Sequence, residues 1–412
     1  MKVEVINTGT ELLLGSVINT HLKFFAESLF PLGLRIQRQV TVPDGSAIRD
    51  ALTESFERTE IVLVTGGLGP TTDDLTRDIV AELLGLPLVH DAEIMAAISQ
   101  RFAQRGLPMT SRVALQALRP PEATVLRNPN GTAPGLYLPP IAQHRSPHVF
   151  LLPGPPRELK PMFRDEVLPI LRGFVPDNPQ FQMRSYRIAG LGESAVEDLV
   201  GEPLLALGLE LGYCARPGEV DLRTIATPAV LERAAAIIKA KLGDHIVSED
   251  QRSLEKVIVD QLSVSGQTLA VAESCSGGFL AHRLTNVPGA SAVFLAGYVT
   301  YANEAKTAAL GVEAKLIAEH GAVSDPVARS MAEGALRTAT TDYALATTGI
   351  AGPDGGTEQK PVGTVFIALA VRGGETTVVR KRFTTDRENF KYLTTQTALD
   401  LLRRRLSTTP PG

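Results

Sequence analysis

Along the chain, short apolar runs alternate with stretches in which apolar residues recur every three or four positions, the signatures of strands and amphipathic helices. Residues 2–6 read as a first strand, and Ile18, Leu22, Phe25 and Leu29 then recur at helical spacing, predicting a helix with one buried face. Residues 35–42 read as a strand and 47–58 as a helix. Residues 60–65, Glu-Ile-Val-Leu-Val-Thr, form an apolar strand of the kind covered on both faces. Leu75, Ile79 and Leu83 line one face of the helix that follows. From residue 179 the rhythm changes: strands at 182–189, 209–215 and 219–226 surround a short helix at 194–200 and precede an alanine-rich helix at 229–242. Strand-then-helix alternation resumes after 250, with a strand at 267–272, a helix at 279–285, a second apolar run at 292–296 and a strand entering 346–348. The predicted fold class is α/β: two doubly wound α/β domains, residues 1–172 and 251–408, joined by a small α+β module at 179–250.

The junction between 267–272 and 279–285 carries the sharpest chemical signal, Ala272-Glu273-Ser274-Cys275-Ser276-Gly277-Gly278. Ser274 falls where a strand ends and a helix begins, so free backbone N–H groups and the positive end of a helix dipole are expected to face a ligand there. Two glycines allow close approach to the backbone. A hydroxyl at such a corner suits a nucleophile, and the same residues also fit an N-cap serine followed by a tight turn. Downstream, Tyr301 and Lys306 follow the second apolar run, and Thr348-Gly349 opens a glycine-rich loop through Gly352. Strand ends of one open α/β sheet line up along one edge, where ligands bind. With no histidine near Ser274, a lysine whose pKa falls well below its solvated ~10.4 can act as the base. Cys275 is a rival nucleophile by chemistry, and also fits a small buried thiol.

In the first domain, the strand at 60–65 runs into Gly66-Gly67-Leu-Gly69-Pro-Thr71-Thr-Asp73-Asp74. A glycine turn between strand and helix can cradle phosphate, but no Gly-Lys-Ser/Thr follows and the dinucleotide fingerprint is incomplete. Asp73 and Asp74 would repel phosphate unless a divalent cation bridges them. Alternatively they complement the helix dipole, Asp73 pairing with Arg77. Asn128-Pro-Asn130-Gly131-Thr-Ala-Pro-Gly135 and Leu152-Pro-Gly154-Pro-Pro-Arg-Glu158 supply two more tight loops.

Composition narrows the class. With 412 residues, 44% hydrophobic and 21% charged, the chain is long enough for several globular domains with their own cores. A net charge of -4 argues against a nucleic-acid surface, and the one basic run, Arg403-Arg404-Arg405, reads as a solvated helix end. Two cysteines, Cys214 and Cys275, are expected of a reducing compartment, the cytoplasm. No membrane partner is expected, because no apolar stretch reaches spanning length and the chain opens on a strand rather than a signal peptide. His144 and His148 are expected at the surface of a proline-bearing loop, without zinc-site spacing.

In order and spacing, AESCSGG (272–278), GYVTYANEAK (297–306), TGIAGPDGGTEQKPVG (348–363) and Thr385-Asp386-Arg387 resemble the C-terminal domain of the CinA family, which is similar to stand-alone nicotinamide mononucleotide deamidases. Ser276 departs from the threonine that many relatives carry. The resemblance implies Ser274 as nucleophile, Lys306 as its base and Tyr301 assisting. Ser276, Gly277, Gly278, Ser291, Thr348, Gly349, Gly352 and Arg387 would hold the nucleotide, with no cofactor. GTELLLG (9–15), GGLGPTTDD (66–74), NGTAPG (130–135) and LPGPPREL (152–159) resemble the molybdopterin-binding fold of MoaB and MogA proteins as it occurs in CinA. In that family the domain is associated with metal-dependent hydrolysis of ADP-ribose. This implies a nucleotide site at Gly66, Gly67, Gly69, Thr71, Asp73, Asp74, Asn130, Gly131 and Gly154, with a divalent metal on Asp73 and Asp74. The middle segment resembles the family's KH-like module, yet Gly190-Leu-Gly192-Glu193 lacks the basic loop RNA binding needs. A homodimer is implied.

Two function classes follow. One is a pyridine-nucleotide salvage enzyme that hydrolyses the carboxamide of nicotinamide mononucleotide and splits ADP-ribose. The other is a competence- or damage-inducible binding or scaffold protein whose nucleotide sites are not catalytic. The set Ser274, Tyr301 and Lys306 favours the enzyme, since a scaffold has no use for it.

Overall fold

The computed structural model describes residues 1–106, 108–142, 146–175 and 181–407, and the chain divides into two compact units, residues 1–180 and 181–412. In the first, strands β1 (Lys2–Thr8), β2 (Arg35–Val42), β3 (Ile61–Thr65), β6 (Thr124–Leu126), β7 (Gly135–Leu138) and β8 (His148–Leu152) form one sheet, and β4 (Val89–His90) pairs with β5 (Leu118–Arg119) in a small ribbon. The sheet order is β2-β1-β3-β8-β7-β6, parallel through β8 and antiparallel beyond it. Every residue of β3 is buried, as expected of a central strand covered on both faces.

Two helices of this unit differ from their periodicity. The first runs His21–Leu29 and buries His21, Phe24, Phe25 and Leu29, whereas Leu22 faces outward and Ile18 is 85% exposed. The Asn19 side chain accepts the His21 N–H at 2.9 Å and ends the preceding turn, and Phe24 and Phe25 close on the Phe163 ring at 5.6 and 5.0 Å. Aromatic packing overrides the leucine and isoleucine spacing. The second helix, Thr76–Leu83, starts after Leu75, which is exposed, and buries Ile79, Val80 and Ala81. His148 lies not in a loop but in β8, half-buried, its Nδ1 2.8 Å from the Tyr137 hydroxyl; burial lowers its pKa. His144 lies outside the described residues.

The second unit joins two sheets. Strands β9 (Gln182–Ala189), β10 (Glu210–Arg216), β11 (Glu219–Ala226) and β12 (Ile246–Ser248) pair antiparallel in the order β10-β11-β9-β12, packed by helices Glu193–Leu205 and Pro228–Leu242. The helix read at 194–200 continues to Leu205, because Val196, Val200 and Leu204 form one buried stripe. The three-residue β12 has no local pattern and exists through pairing with β9. The remaining strands, β13 (Leu269–Glu273), β14 (Phe294–Val299), β15 (Tyr343–Gly349), β16 (Thr364–Val371) and β17 (Thr377–Arg382), lie in the order β14-β13-β15-β16-β17. The first three are parallel, and β16 and β17 turn antiparallel. Strand β14 falls later than the run at 292–296: residues Ala290–Ala292 form a 3-10 turn, and Tyr298 and Val299 stay in the ladder opposite Ala272 and Glu273.

The small module is fastened to the last domain by buried polar groups. Arg283 donates to Glu255, Thr395 and Gln396; Gln396 donates to Glu219 of β11 at 2.8 Å; and Arg403 donates to the carbonyls of Ile246 and Asp244. Burial raises the Glu219 pKa, opposed by the Gln396 hydrogen bond and by Arg187.

Candidate functional site

Strands β13, β14 and β15 are parallel, so Ser274, Thr300 and Ile350 emerge along one sheet edge. Consecutive strands go to opposite sides of β13, which puts Ser274 at the topological switch point where such sheets bind ligands. The Ser274 amide donates to the Thr347 carbonyl at 2.9 Å, tying the corner to β15. Across it stands Lys306 from helix Asn303–Leu310, 1% exposed, with Nζ 3.2 Å from Ser274 Oγ, 2.8 Å from the Thr300 carbonyl and 3.2 Å from that of Tyr301. Burial pushes the Lys306 pKa down, against the opposing pull of Cys275 and Glu304. A neutral amine has two N–H donors and one lone pair. Two carbonyls and one hydroxyl match that inventory.

Glu273, at the end of β13, carries a function sequence reading missed. It is fully buried, and its carboxylate accepts the N–H groups of Gly278, Leu280 and Ala281 at 3.0, 3.0 and 2.8 Å and the Ser276 hydroxyl at 2.7 Å. Helix Phe279–Thr285 has no side-chain cap from its own N-cap residue, Gly278; Glu273 caps it from the strand instead. The helix N-terminus therefore faces the protein's own carboxylate rather than a ligand. The Gly278 amide is engaged by Glu273, and the Gly277 amide by the Ser274 carbonyl at 3.2 Å. Among the described residues, the amides of Cys275 and Ser276 have no acceptor outside their own residue. One signal was legible: a glutamate inside an apolar, buried strand requires partners.

The other expected residues fall into three groups. Ser276 and Thr348 are core residues: Ser276 Oγ also lies 2.7 Å from Thr347 Oγ1, and Thr348 donates to the Ala322 carbonyl at 2.8 Å. Both hydroxyls brace the corner rather than face the cleft. Tyr301, 63% exposed, gives its backbone carbonyl to Lys306, while its hydroxyl accepts from Arg387 at 3.0 Å. Arg387 also donates to the Gly352 carbonyl at 2.8 Å, linking the loop after β15 to the Tyr301 turn. Gly349 closes β15, where a Cβ would meet the Thr364 carbonyl at 2.8 Å. Ser291 is not brought to the site. It precedes β14, whose first residue pairs with Leu269, so within one chain it stands a strand length, ~15 Å at ~3.3 Å per residue, from Ser274. Cys275 is buried, and burial pushes its thiol up to about 12, which leaves it protonated and inert.

In the first unit, the switch point lies between β1 and β3, where Gly66-Gly67 follows β3. Both glycines have positive φ, 96° and 67°, and a Cβ would strike Thr8 or Thr76. Asn128 Oδ1 holds the loop from the other side, accepting the amides of Asn130 and Gly131 at 3.1 and 2.8 Å. Gly154 packs against Gly66. Asp74 turns back onto Thr71, accepting its amide at 2.9 Å and its hydroxyl; a Cβ on Gly69 would meet this carboxylate. The Thr71 hydroxyl, and then its own backbone N–H, hold the Asp73 carboxyl below its ordinary range. Arg77 does not pair with Asp73: it donates to Asp78 and to the Leu115 carbonyl. No group of three or more His, Cys, Asp or Glu residues among the described residues could hold a metal ion. The protein groups thus do not complete a metal site, and a cation here would need oxygens from a nucleotide's phosphates.

Three family models and full-length relatives match this chain. The "CinA C-terminal domain" family matches residues 251–406, the "Damage-inducible protein CinA KH domain" matches 183–247 and the "Probable molybdopterin binding domain" matches 4–173. A CinA-like protein of Akkermansia muciniphila is 45% identical over 400 residues, covering 97% of this chain and 96% of its own. The chain belongs to the CinA family. A CinA-like protein of Citrifermentans bemidjiense is 43% identical over the full length of both chains. Among solved structures, the competence/damage inducible protein of Agrobacterium tumefaciens is 40% identical, covering 38% of this chain and 94% of that one, with a TM-score of 0.37. The three family models cover the two α/β domains and the KH-like module found here. No helix among the described residues is long and apolar enough to cross a membrane.

Proposed function

We propose that the C-terminal domain is an amidohydrolase that converts nicotinamide mononucleotide to nicotinate mononucleotide and ammonia. The observation that carries this reading is the buried Lys306 amine, set between two carbonyls and the Ser274 hydroxyl. Ser274 Oγ attacks the carboxamide carbon as its proton passes to the Lys306 lone pair. The ammonium so formed donates to the same three oxygens, so proton transfer needs no rearrangement. Lys306 then gives the proton to the departing nitrogen, the C–N bond breaks, and ammonia leaves an acyl-serine ester. Water attacks the ester, its proton passes to Lys306, and Ser274 is regenerated. The amides of Cys275 and Ser276 are the turn's remaining donors for the oxyanion, in place of those of Gly277 and Gly278.

For the first unit, the proposal is ADP-ribose hydrolysis at the Gly66-Gly67 turn, against which Gly154 packs, with Asn130 and Gly131 contributing from the loop that Asn128 holds. No step is routed through a metal. A cytoplasmic homodimer is part of the proposal, and sedimentation of the purified chain tests the assembly. The deciding experiment is ammonia release from nicotinamide mononucleotide by the purified chain and by its Ser274→Ala variant. Release by the wild type alone supports the enzyme; release by neither supports a binding or scaffold protein.

A further inference from the structure

Arg387 is followed one turn later on helix Arg387–Ser407 by Lys391; Arg387 reaches the Tyr301 turn and the Gly352 loop, and Lys391 reaches the turn after Ser274. Lys391 Nζ lies 3.8 Å from the point where a Cβ on Gly277 would be, directly beside the turn after the nucleophile, and 5.9 Å from the centroid of the Phe279 ring. It is half-buried, and no carboxylate among the described residues pairs with it. Arg387 likewise meets only neutral acceptors, the Gly352 carbonyl and the Tyr301 hydroxyl. The carboxylates nearby are already engaged: Glu273 is enclosed behind the turn and used by backbone amides and Ser276, and Asp386 caps the helix through the Glu388 and Asn389 amides, while Glu388 forms no ion pair among the described residues. Two cations near a nucleophile, with no ion-pair partner among the described residues, are available to receive an anion. Gly277 adopts φ 61°, the left-handed conformation that favours glycine, and the absence of a side chain there leaves the approach to the ammonium open.

We propose that Lys391 binds the phosphate monoester of the substrate, acting with Arg387, and is the residue that separates a nucleotide from its nucleoside. The phosphate would take the ammonium of Lys391 as a point charge and the guanidinium of Arg387 as a fork. The Phe279 ring faces the Lys391 ammonium, a cation–π contact that aims the charge. The inference rests on the deamidase reading for the identity of the substrate, but the anion site can be tested apart from it.

The test compares kcat/KM for nicotinamide mononucleotide and for nicotinamide riboside in the wild type, Lys391→Met and Lys391→Arg. Met keeps an unbranched stem and removes the charge. The preference for the nucleotide should fall about 10- to 100-fold in Lys391→Met, the loss of one charge-assisted hydrogen bond, chiefly through KM, and recover in Lys391→Arg. A preference that survives in Lys391→Met overturns the proposal. If the wild type deamidates neither compound, the deamidase reading fails. Line broadening of inorganic phosphate in phosphorus NMR then decides the site alone: broadening by the wild type and not by Lys391→Met supports it, and equal broadening overturns it.

Discussion

Replacing Lys306 with Met separates a general base from a structural lysine, because the two roles leave different pH signatures. Burial lowers the lysine pKa in the folded chain, and unfolding returns it to the ordinary ~10.4. Between those two values the unfolded state binds more protons than the folded one. The wild type therefore gains stability as pH rises through that window, by at most ~1.4 kcal/mol per pH unit. Below the folded pKa the full penalty of burying an ammonium is present; above the ordinary value it is gone. The Met variant lacks this slope. It also strips donors from the Thr300 and Tyr301 carbonyls, a loss of about 1–3 kcal/mol for each left unpaired. The unfolding free energy of the wild type should accordingly climb relative to the variant as pH increases, read from urea melts at a series of pH values. In parallel, kcat/KM for ammonia release should rise with pH in the wild type and level off above the lowered pKa. It should fall ~10²–10⁴-fold in Lys306→Met, the worth of a general base. Lys306→Arg should be nearly as damaging, because guanidinium stays protonated and cannot accept the serine proton. An Arg variant within ~10-fold of wild type, against that range for a lost base, would refute the assignment and reduce Lys306 to a source of charge.

Ser274→Ala should cost at least ~10³-fold in deamidation, a nucleophile-sized loss, whereas Cys275→Ala should be mild; the reverse ranking would make the thiol the nucleophile despite its pKa near 12. Glu273→Gln should lower stability by about 3 kcal/mol, since an amide presents its own donors to the N–H groups of Gly278, Leu280 and Ala281; an unshifted denaturant midpoint would deny it the capping role. A fragment beginning at residue 251 should fold and release ammonia but melt below one beginning at residue 181, because Arg403 loses the Asp244 and Ile246 carbonyls and Gln396 loses Glu219. Equal melting temperatures would show that these contacts contribute nothing, and a folded but inert fragment would show that the site needs the small module.

Elements whose signal is local were legible. Strands at 35–42, 182–189 and 219–226 and the helix at 279–285 have the limits their patterns predict, because alternation and turn residues act within a few positions. What failed depends on distant partners. The first helix follows the Phe163 ring rather than its own leucine spacing, and β12 exists only through pairing with β9. In the site, the strand-to-helix corner and the shared sheet edge were legible from apolar runs and glycines. That Lys306 closes on Ser274 across 32 residues was suggested by chemistry and required the fold to place it. The family resemblance implies Thr348 and Ser276 as ligand-facing, and a hydroxyl near glycines suits both a site and a core. Only the positions of Ala322 and Glu273 distinguish the two.

The Glu273 cap bears on how the corner recognises a ligand. A glycine turn opening a helix suggests an anion site made of backbone amides, as in phosphate loops. Here that position belongs to Glu273, which neutralises the helix end from within the core. A phosphate brought to the same amides would meet a buried carboxylate and be repelled. On the proposed reading an anionic substrate is held instead by side-chain cations, and helix Arg387–Ser407 carries Arg387 and Lys391 near this turn. The Glu273 cap thereby fixes the turn that carries Ser274, and on the proposed reading the charge that selects the substrate sits on a separate helix.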